Sequence, residues 1–220
     1  MTSKLAVFDC DGTLVDGQAD VLWAMERAFE KAGLMMPDPN QVRRMVGLSL
    51  PVAMRELVPE ASERTHRALT EFYKSSFRAR REEGLLFEPL YDGIEDLLRA
   101  LHVGGWKLAV ATGKSDRGLA GCLAEHGLTE FFVSLQTADR HPSKPHPAML
   151  EAALFEAAVQ PEDAVMIGDT SYDIRMAAAA QVRSIGVAWG YHSPSELSAN
   201  GADLVVDTVD ELQTELERWA

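Results

Sequence analysis

The sequence predicts an α/β fold, a Rossmann-like parallel sheet with a small all-helical cap domain inserted after the first strand. Three observations carry that expectation. The apolar run Lys4 to Phe8 stops abruptly at Asp9-Cys10-Asp11-Gly12-Thr13, as a buried strand followed by a tight turn would. The stretch from about Gln18 to Arg81 has helical periodicity and no strand-like run. After Pro89, short apolar runs alternate with helical segments, the pattern of a parallel sheet covered by helices on both faces.

The elements follow in order. Val21, Leu22, Met25, Ala28, Phe29 and Ala32 recur at helical spacing after the first strand, and Gly33 helps to stop that helix. Three more helical stretches follow, near Asn40 to Met45, Leu50 to Val58 and Ala61 to Arg81, with Leu69, Phe72, Tyr73 and Phe77 marking one face of the last. Further strands are expected at Trp106 to Ala111, Phe131 to Leu135, Ala164 to Ile167, Ser184 to Ala188 and Leu204 to Val206. Helices between and after them are expected near Gly93 to His102, Asp116 to His126, Pro147 to Val159, Tyr172 to Ala180 and Val209 to Trp219. This divides the chain into a core of residues 1–15 and 83–220 and a cap of residues 16–82, with short joins that let the cap move. Met35, Met36, Met45 and Met54 are read as an adaptable cap core.

Composition narrows the function. The 220 residues carry 21 Lys+Arg against 34 Asp+Glu, a formal charge of −13, which disfavours a general nucleic-acid binder. Two cysteines, Cys10 and Cys122, are too few for a disulfide framework and lack zinc-site spacing, so a cytoplasmic location is expected. Leu5 to Phe8 is too short for the apolar region of a signal peptide, and no run approaches the roughly 18 apolar residues of a membrane span.

In an open parallel sheet, ligands bind beyond the carboxyl ends of the strands, so the polar residues there carry the chemistry. Asp9 and Asp11, two residues apart, would project to one side while Cys10 points away. Asp169 supplies a third carboxylate from a later strand end, and the mutual repulsion calls for a hard cation, most naturally Mg²⁺. Thr112 and Gly113 stand where a strand turns into a helix, whose free N–H groups suit a phosphate. Lys144, between Ser143 and Pro145, offers a compact positive charge.

With these residues in view, the sequence resembles the haloacid dehalogenase superfamily, in the branch that includes phosphoglycolate phosphatases. The resemblance rests on Asp9-Cys10-Asp11-Gly12-Thr13, Thr112, Lys144 and Gly168-Asp169-Thr170-Ser171-Tyr172-Asp173, in that order, with the helical insertion at the place of the family's cap. It implies a phosphomonoester hydrolase acting on a small metabolite such as 2-phosphoglycolate, with Asp9 as nucleophile and Asp11 as general acid and base. Gly12, Thr112, Gly113 and Lys144 would hold the phosphate. Asp9, the main-chain carbonyl of Asp11 and Asp169 would ligate Mg²⁺, with Asp173 orienting metal-bound water. A sugar-phosphate mutase of the same superfamily keeps both aspartates and is the alternative enzyme; a non-catalytic phosphate-responsive module is the alternative outside enzymes.

Several residues admit two readings. Lys114 and Ser115 either begin a helix or touch substrate, and Arg43 and Arg44 are either solvated or reach a second anionic group. Trp189, Gly190 and Tyr191 either pack or line the entrance. His141 and His146 read as loop histidines without metal-ligand company, and Cys10, between two acids, reads as unreactive.

Overall fold

The computed structural model describes residues 3–219. Six strands, β1 (Leu5–Phe8), β2 (Lys107–Thr112), β3 (Phe132–Thr137), β4 (Ala164–Gly168), β5 (Arg183–Val187) and β6 (Leu204–Val206), form one sheet in the order β3-β2-β1-β4-β5-β6. Every pairing is parallel. The chain moves outward from β1 to β2 and β3 on one side, then returns to place β4, β5 and β6 on the other. The carboxyl ends of β1 and β4 therefore flank the topological switch point, where such sheets open a ligand crevice.

Alternation along the strands builds two cores. Ala6 and Phe8 face the layer that holds α5 (Ile94–Val103), α6 (Asp116–Glu125) and α10 (Val209–Trp219). Leu5 and Val7 face α7 (Ala148–Ala157) and α8 (Ser171–Ala179). Both faces are covered, which is why β1 and β4 read as unbroken apolar runs rather than as an alternation.

Five helices lie between β1 and β2, as the periodicity predicts. The first four are α1 (Gln18–Ala32), α2 (Pro39–Arg44), α3 (Leu50–Leu57) and α4 (Glu63–Glu82). They share their own apolar core of Met25, Ala28, Phe29, Val42, Met54 and Leu69. Gly33 ends α1 in the left-handed conformation, with φ 66°, that a glycine adopts without steric cost. Of the four methionines expected in the cap core, Met54 is fully buried, but Met35 is 92% exposed on the loop after α1. Its apolar character carried no positional information, because helical periodicity ends at Gly33.

One helix escaped the periodicity reading. α9 (Pro194–Ala199) is only six residues long, too short to show a repeat. Its start was nevertheless written in the chain: Ser193 caps it, Pro194 occupies the first turn, and Glu196 reaches back to the Ser193 N–H in a capping box. No helix among the described residues is long and apolar enough to cross a membrane.

Candidate active site

Register places the first carboxylates together. Phe8 pairs with Ile167, and the Asp9 N–H donates to the Ile167 carbonyl at 2.9 Å, so the residues after β1 and β4 emerge side by side. Asp9, Asp169 and Asp173 are all buried and each offers a carboxylate oxygen within 4.8 Å of the others. At that distance two unit charges repel by roughly 3–4 kcal/mol at an effective dielectric of about 20. Lys144, 1% exposed, is 3.0 Å from Asp9 Oδ1 and 2.6 Å from Asp173 Oδ1. One lysine against three carboxylates leaves an excess of buried negative charge.

The ionisation of the cluster follows. Burial, with repulsion from Asp173 and Asp11, pushes the Asp9 carboxyl up to about 7 against the pull of Lys144. Burial and the neighbouring Asp9 and Asp173 likewise hold Asp169 well above the ordinary carboxylate range. Burial opposes the charge on Lys144, yet Asp173 and Asp9 raise its pKa above the usual lysine value, so it stays an ammonium.

The oxygens are not equally engaged. Asp9 Oδ1 accepts from the Cys10 N–H at 2.6 Å and faces Lys144, whereas Asp9 Oδ2 is buried without a hydrogen-bond partner. Asp169 Oδ1 accepts from the Thr13 hydroxyl at 2.8 Å, and its Oδ2 from the Tyr191 N–H at 2.9 Å. Both oxygens of Asp173 are taken: Oδ1 by Lys144, and Oδ2 by the Thr170 hydroxyl and N–H at 2.6 and 3.1 Å. An unpartnered buried carboxylate oxygen beside two further carboxylates fits a hard, oxygen-seeking cation.

The cluster demands small neighbours. A Cβ on Gly12 would meet Asp169 Oδ2 at 2.2 Å, and one on Gly190 would meet the Asp169 Cβ at the same distance. Gly12 also has φ +83°, a second reason for glycine there. Trp189 donates from its indole to the Thr13 carbonyl at 3.2 Å, so the Trp189-Gly190-Tyr191 turn clamps the loop that carries the carboxylates.

Asp9 and Asp11 both line one cavity of about 380 Å³ between core and cap, together with Thr112 and Gly113. The Asp11 side chain lies outside the three-carboxylate cluster and meets the Lys114 ammonium at 2.9 Å. Lys114 also pairs with Glu88, which is 2% exposed and lies 3.8 Å from Arg81. Asp11, Lys114, Glu88 and Arg81 thus form a charge chain running from the core loop to the end of α4. Nothing in the sequence around Glu88 marked it, since its partners come from distant segments. Ser115 caps α6 through the Gly118 N–H at 3.1 Å and also lines the cavity.

Arg43 and Arg44 do not line the cavity. Arg43 donates to Gln18 and Asn40, and Arg44 pairs with Glu196 at 2.6 Å across the cap and core. The basic residues on the lining come instead from α4 and from the start of α6, among them Lys74, Arg78, Arg81 and Arg117. Cys10 faces away from the carboxylates as expected, with its sulfur 4.0 Å from that of Cys122. That contact, followed by burial, holds its thiol pKa well above normal; Asp11 is a minor cause. His141 contacts Gln136 at 2.8 Å, and the His146 ring accepts from the Ala148 N–H at 3.2 Å; neither joins a metal-binding group among the described residues.

The cap rests directly on this centre. The Ser49 N–H donates to the Ser143 hydroxyl at 2.8 Å, Tyr172 and His192 contact the Arg44 carbonyl at 3.1 and 3.2 Å, and the Gly47 and Leu48 carbonyls crowd Gly113.

Comparison with known proteins agrees with this architecture. The sequence profile of the haloacid dehalogenase-like hydrolase family matches residues 6–187. A protein of Vibrio vulnificus (strain YJ016) named phosphoglycolate phosphatase is 30% identical over 95% of this chain and 94% of its own length. A protein of Dickeya dadantii (strain 3937) named "Probable phosphatase IndB" is 33% identical over 94% of this chain and 91% of its own. Among solved structures, "a predicted phosphatase from Clostridium acetobutylicum" superposes with a TM-score of 0.89 at 29% identity, covering 99% of this chain and 100% of that one.

Proposed function

The chain belongs to the haloacid dehalogenase-like hydrolases, and from that membership we propose that it is a Mg²⁺-dependent phosphatase, hydrolysing a small phosphomonoester through an aspartyl-phosphate on Asp9. The observation that carries the reading is the buried Asp9 Oδ2, unpartnered beside Asp169 and Asp173, with Lys144 fixed on the other oxygen of Asp9. Asp9, the main-chain carbonyl of Asp11 and Asp169 would hold the cation, and Asp173 would orient metal-bound water while it fixes Lys144 and the start of α8. Bound there, Mg²⁺ supplies positive charge that offsets the carboxylates and the phosphate.

The residues divide the work. An Asp9 oxygen forms a bond to phosphorus as the bond to the ester oxygen breaks, and Asp11 gives its proton to the departing alkoxide. Asp11 then takes a proton from the water that attacks the same phosphorus, and phosphate leaves with Asp9 restored. Lys144, the Thr112 hydroxyl and the Gly113 N–H hold the phosphate oxygens as charge shifts, while Gly12, whose own N–H is given to the Val15 carbonyl at 2.9 Å, leaves room for them beside Asp169. We take residues 16–82 as the cap that excludes bulk water during both steps, with residues 1–15 and 83–220 as the catalytic core.

The test is phosphate release from a panel of 2-phosphoglycolate, sugar phosphates and nucleotides, with and without Mg²⁺, for the natural protein and Asp9→Asn. Metal-dependent turnover reduced by at least about 10³-fold in the variant is expected. Release by Asp9→Asn at the natural rate, or no release from any ester, would overturn the reading.

A further inference from the structure

The cavity narrows the alcohol half of the substrate, an inference that rests on the phosphatase reading. Of its about 380 Å³, the end at Asp9 and Thr112 belongs to the phosphate, and the remainder lies against the cap. Val21, Met25, Met45, Val46, Leu50 and Phe77 supply the cap's apolar wall, drawn from α1, the α2–α3 segment and α4. The polar groups that line the cavity deeper in are already engaged: the Ser49 N–H donates to Ser143, the Ser115 hydroxyl caps α6, Lys114 pairs with Asp11 and Glu88, and the Tyr73 ring stacks on Phe77. Lys74, Arg78 and Arg117 are exposed and so sit at the solvent rim of the lining.

A polyol seated against this wall would surrender water from its hydroxyls without gaining partners. A two-carbon acid such as glycolate would leave most of the volume to water. An apolar body would gain by leaving water, and cavities of this size suit ligands of ring size and above. The geometry points to a phosphomonoester whose alcohol carries an apolar, ring-sized body, seated against Met45, Val46, Leu50 and Phe77 with its phosphate at Asp9.

The experiment compares esters with equally basic leaving groups: ethyl phosphate and 3-phenylpropyl phosphate, with 2-phosphoglycolate and glucose 6-phosphate as small-acid and polyol references. In parallel, calorimetry measures binding of ethylphosphonate and 3-phenylpropylphosphonate to the full chain. The phenylpropyl compounds are expected to lead by about 30-fold or more, in kcat/KM and in Kd, since each buried methylene contributes about three- to fourfold. Met45→Gln, close in shape but polar, should lower the phenylpropyl-to-ethyl ratio about tenfold. Val46→Thr, with a smaller decrease, reads the same ratio should Met45→Gln fail to fold. A ratio near one in both measurements, or a kcat/KM highest for 2-phosphoglycolate or glucose 6-phosphate, would overturn the proposal. A phosphonate preference without turnover would uphold the ligand class and overturn the phosphatase reading instead; neither preference nor turnover would overturn both.

Discussion

Replacing Gly190 by alanine tests whether the position of Asp169 governs activity. The added Cβ would lie 2.2 Å from the Asp169 Cβ and 2.3 Å from its Oδ2, where ordinary contact begins at 3.4 Å. Relief therefore requires a displacement of 3.4 − 2.2 = 1.2 Å, shared between the alanine and the carboxylate. Asp169 cannot yield freely, because Thr13 holds one oxygen and the Tyr191 N–H the other. A misplacement of about 1 Å in a catalytic constellation costs about 10²-fold in rate, so phosphate release at saturating Mg²⁺ should fall by that order. Half-saturation should also move to higher Mg²⁺. Overpacking should cost only about 1–3 kcal/mol of stability, a lowering of Tm by several degrees that leaves the protein folded at 25 °C. The assay is steady-state phosphate release across a Mg²⁺ titration, alongside thermal unfolding. Turnover within about threefold of the natural protein, at an unchanged Mg²⁺ midpoint, would refute the argument that the glycine is there to seat Asp169.

Two further perturbations read the electrostatics. Lys144→Met leaves Asp9 and Asp173 buried without their counter-charge and should destabilise by about 3–5 kcal/mol. The loss should be larger at pH 8 than at pH 5, because the Asp9 carboxyl, raised to about 7 even with the lysine present, can neutralise itself by protonation at the lower pH. Thermal unfolding at the two pH values checks this, and an equal loss at both would contradict it. At the cap–core contact, the hydrogen bond from Arg44 lowers the Glu196 carboxyl from 4.5 to about 2. A depressed folded-state pKa contributes stability that is present above about 4.5 and is lost as pH falls through about 2. The pair is half exposed and screened, so Glu196→Gln should cost under about 1 kcal/mol at pH 7 and progressively less as pH falls below about 4.5 towards 2, by denaturant unfolding.

The legible part of this protein is the part its strands organise. Each of Asp9, Thr112 and Asp169 sits within two residues of the end of an apolar run, and a parallel sheet gathers such ends at one edge whatever lies between them. Lys144 was legible through its motif rather than its strand, and its ion pair with Asp173 spans 29 residues. The Glu88–Lys114–Asp11 chain was not legible, since no local pattern distinguishes Glu88 from a solvated surface glutamate. α9 was missed, being too brief to show a period, and its capping box was the one signal that could have found it.

The cap shows where periodicity stops being informative. Leu69, Tyr73 and Phe77 follow one another at four-residue spacing along α4 and read as a single core-facing stripe. The structure grades that stripe: Leu69 is fully buried in the cap core, Tyr73 packs against that core and also lines the cavity, and Phe77 lines the cavity over Asp11. An apolar residue satisfies either role, because a core and an apolar ligand wall remove the same surface from water. The sequence pattern specifies that α4 has an apolar face, and only the docking of the cap onto the loops beyond the strand ends decides where core ends and binding wall begins. Arg81, four residues beyond Phe77, extends the same face into the charge chain through Glu88. One helix face thus contributes in turn to cap stability, to the wall proposed to select the alcohol, and to the charge network of the proposed general acid.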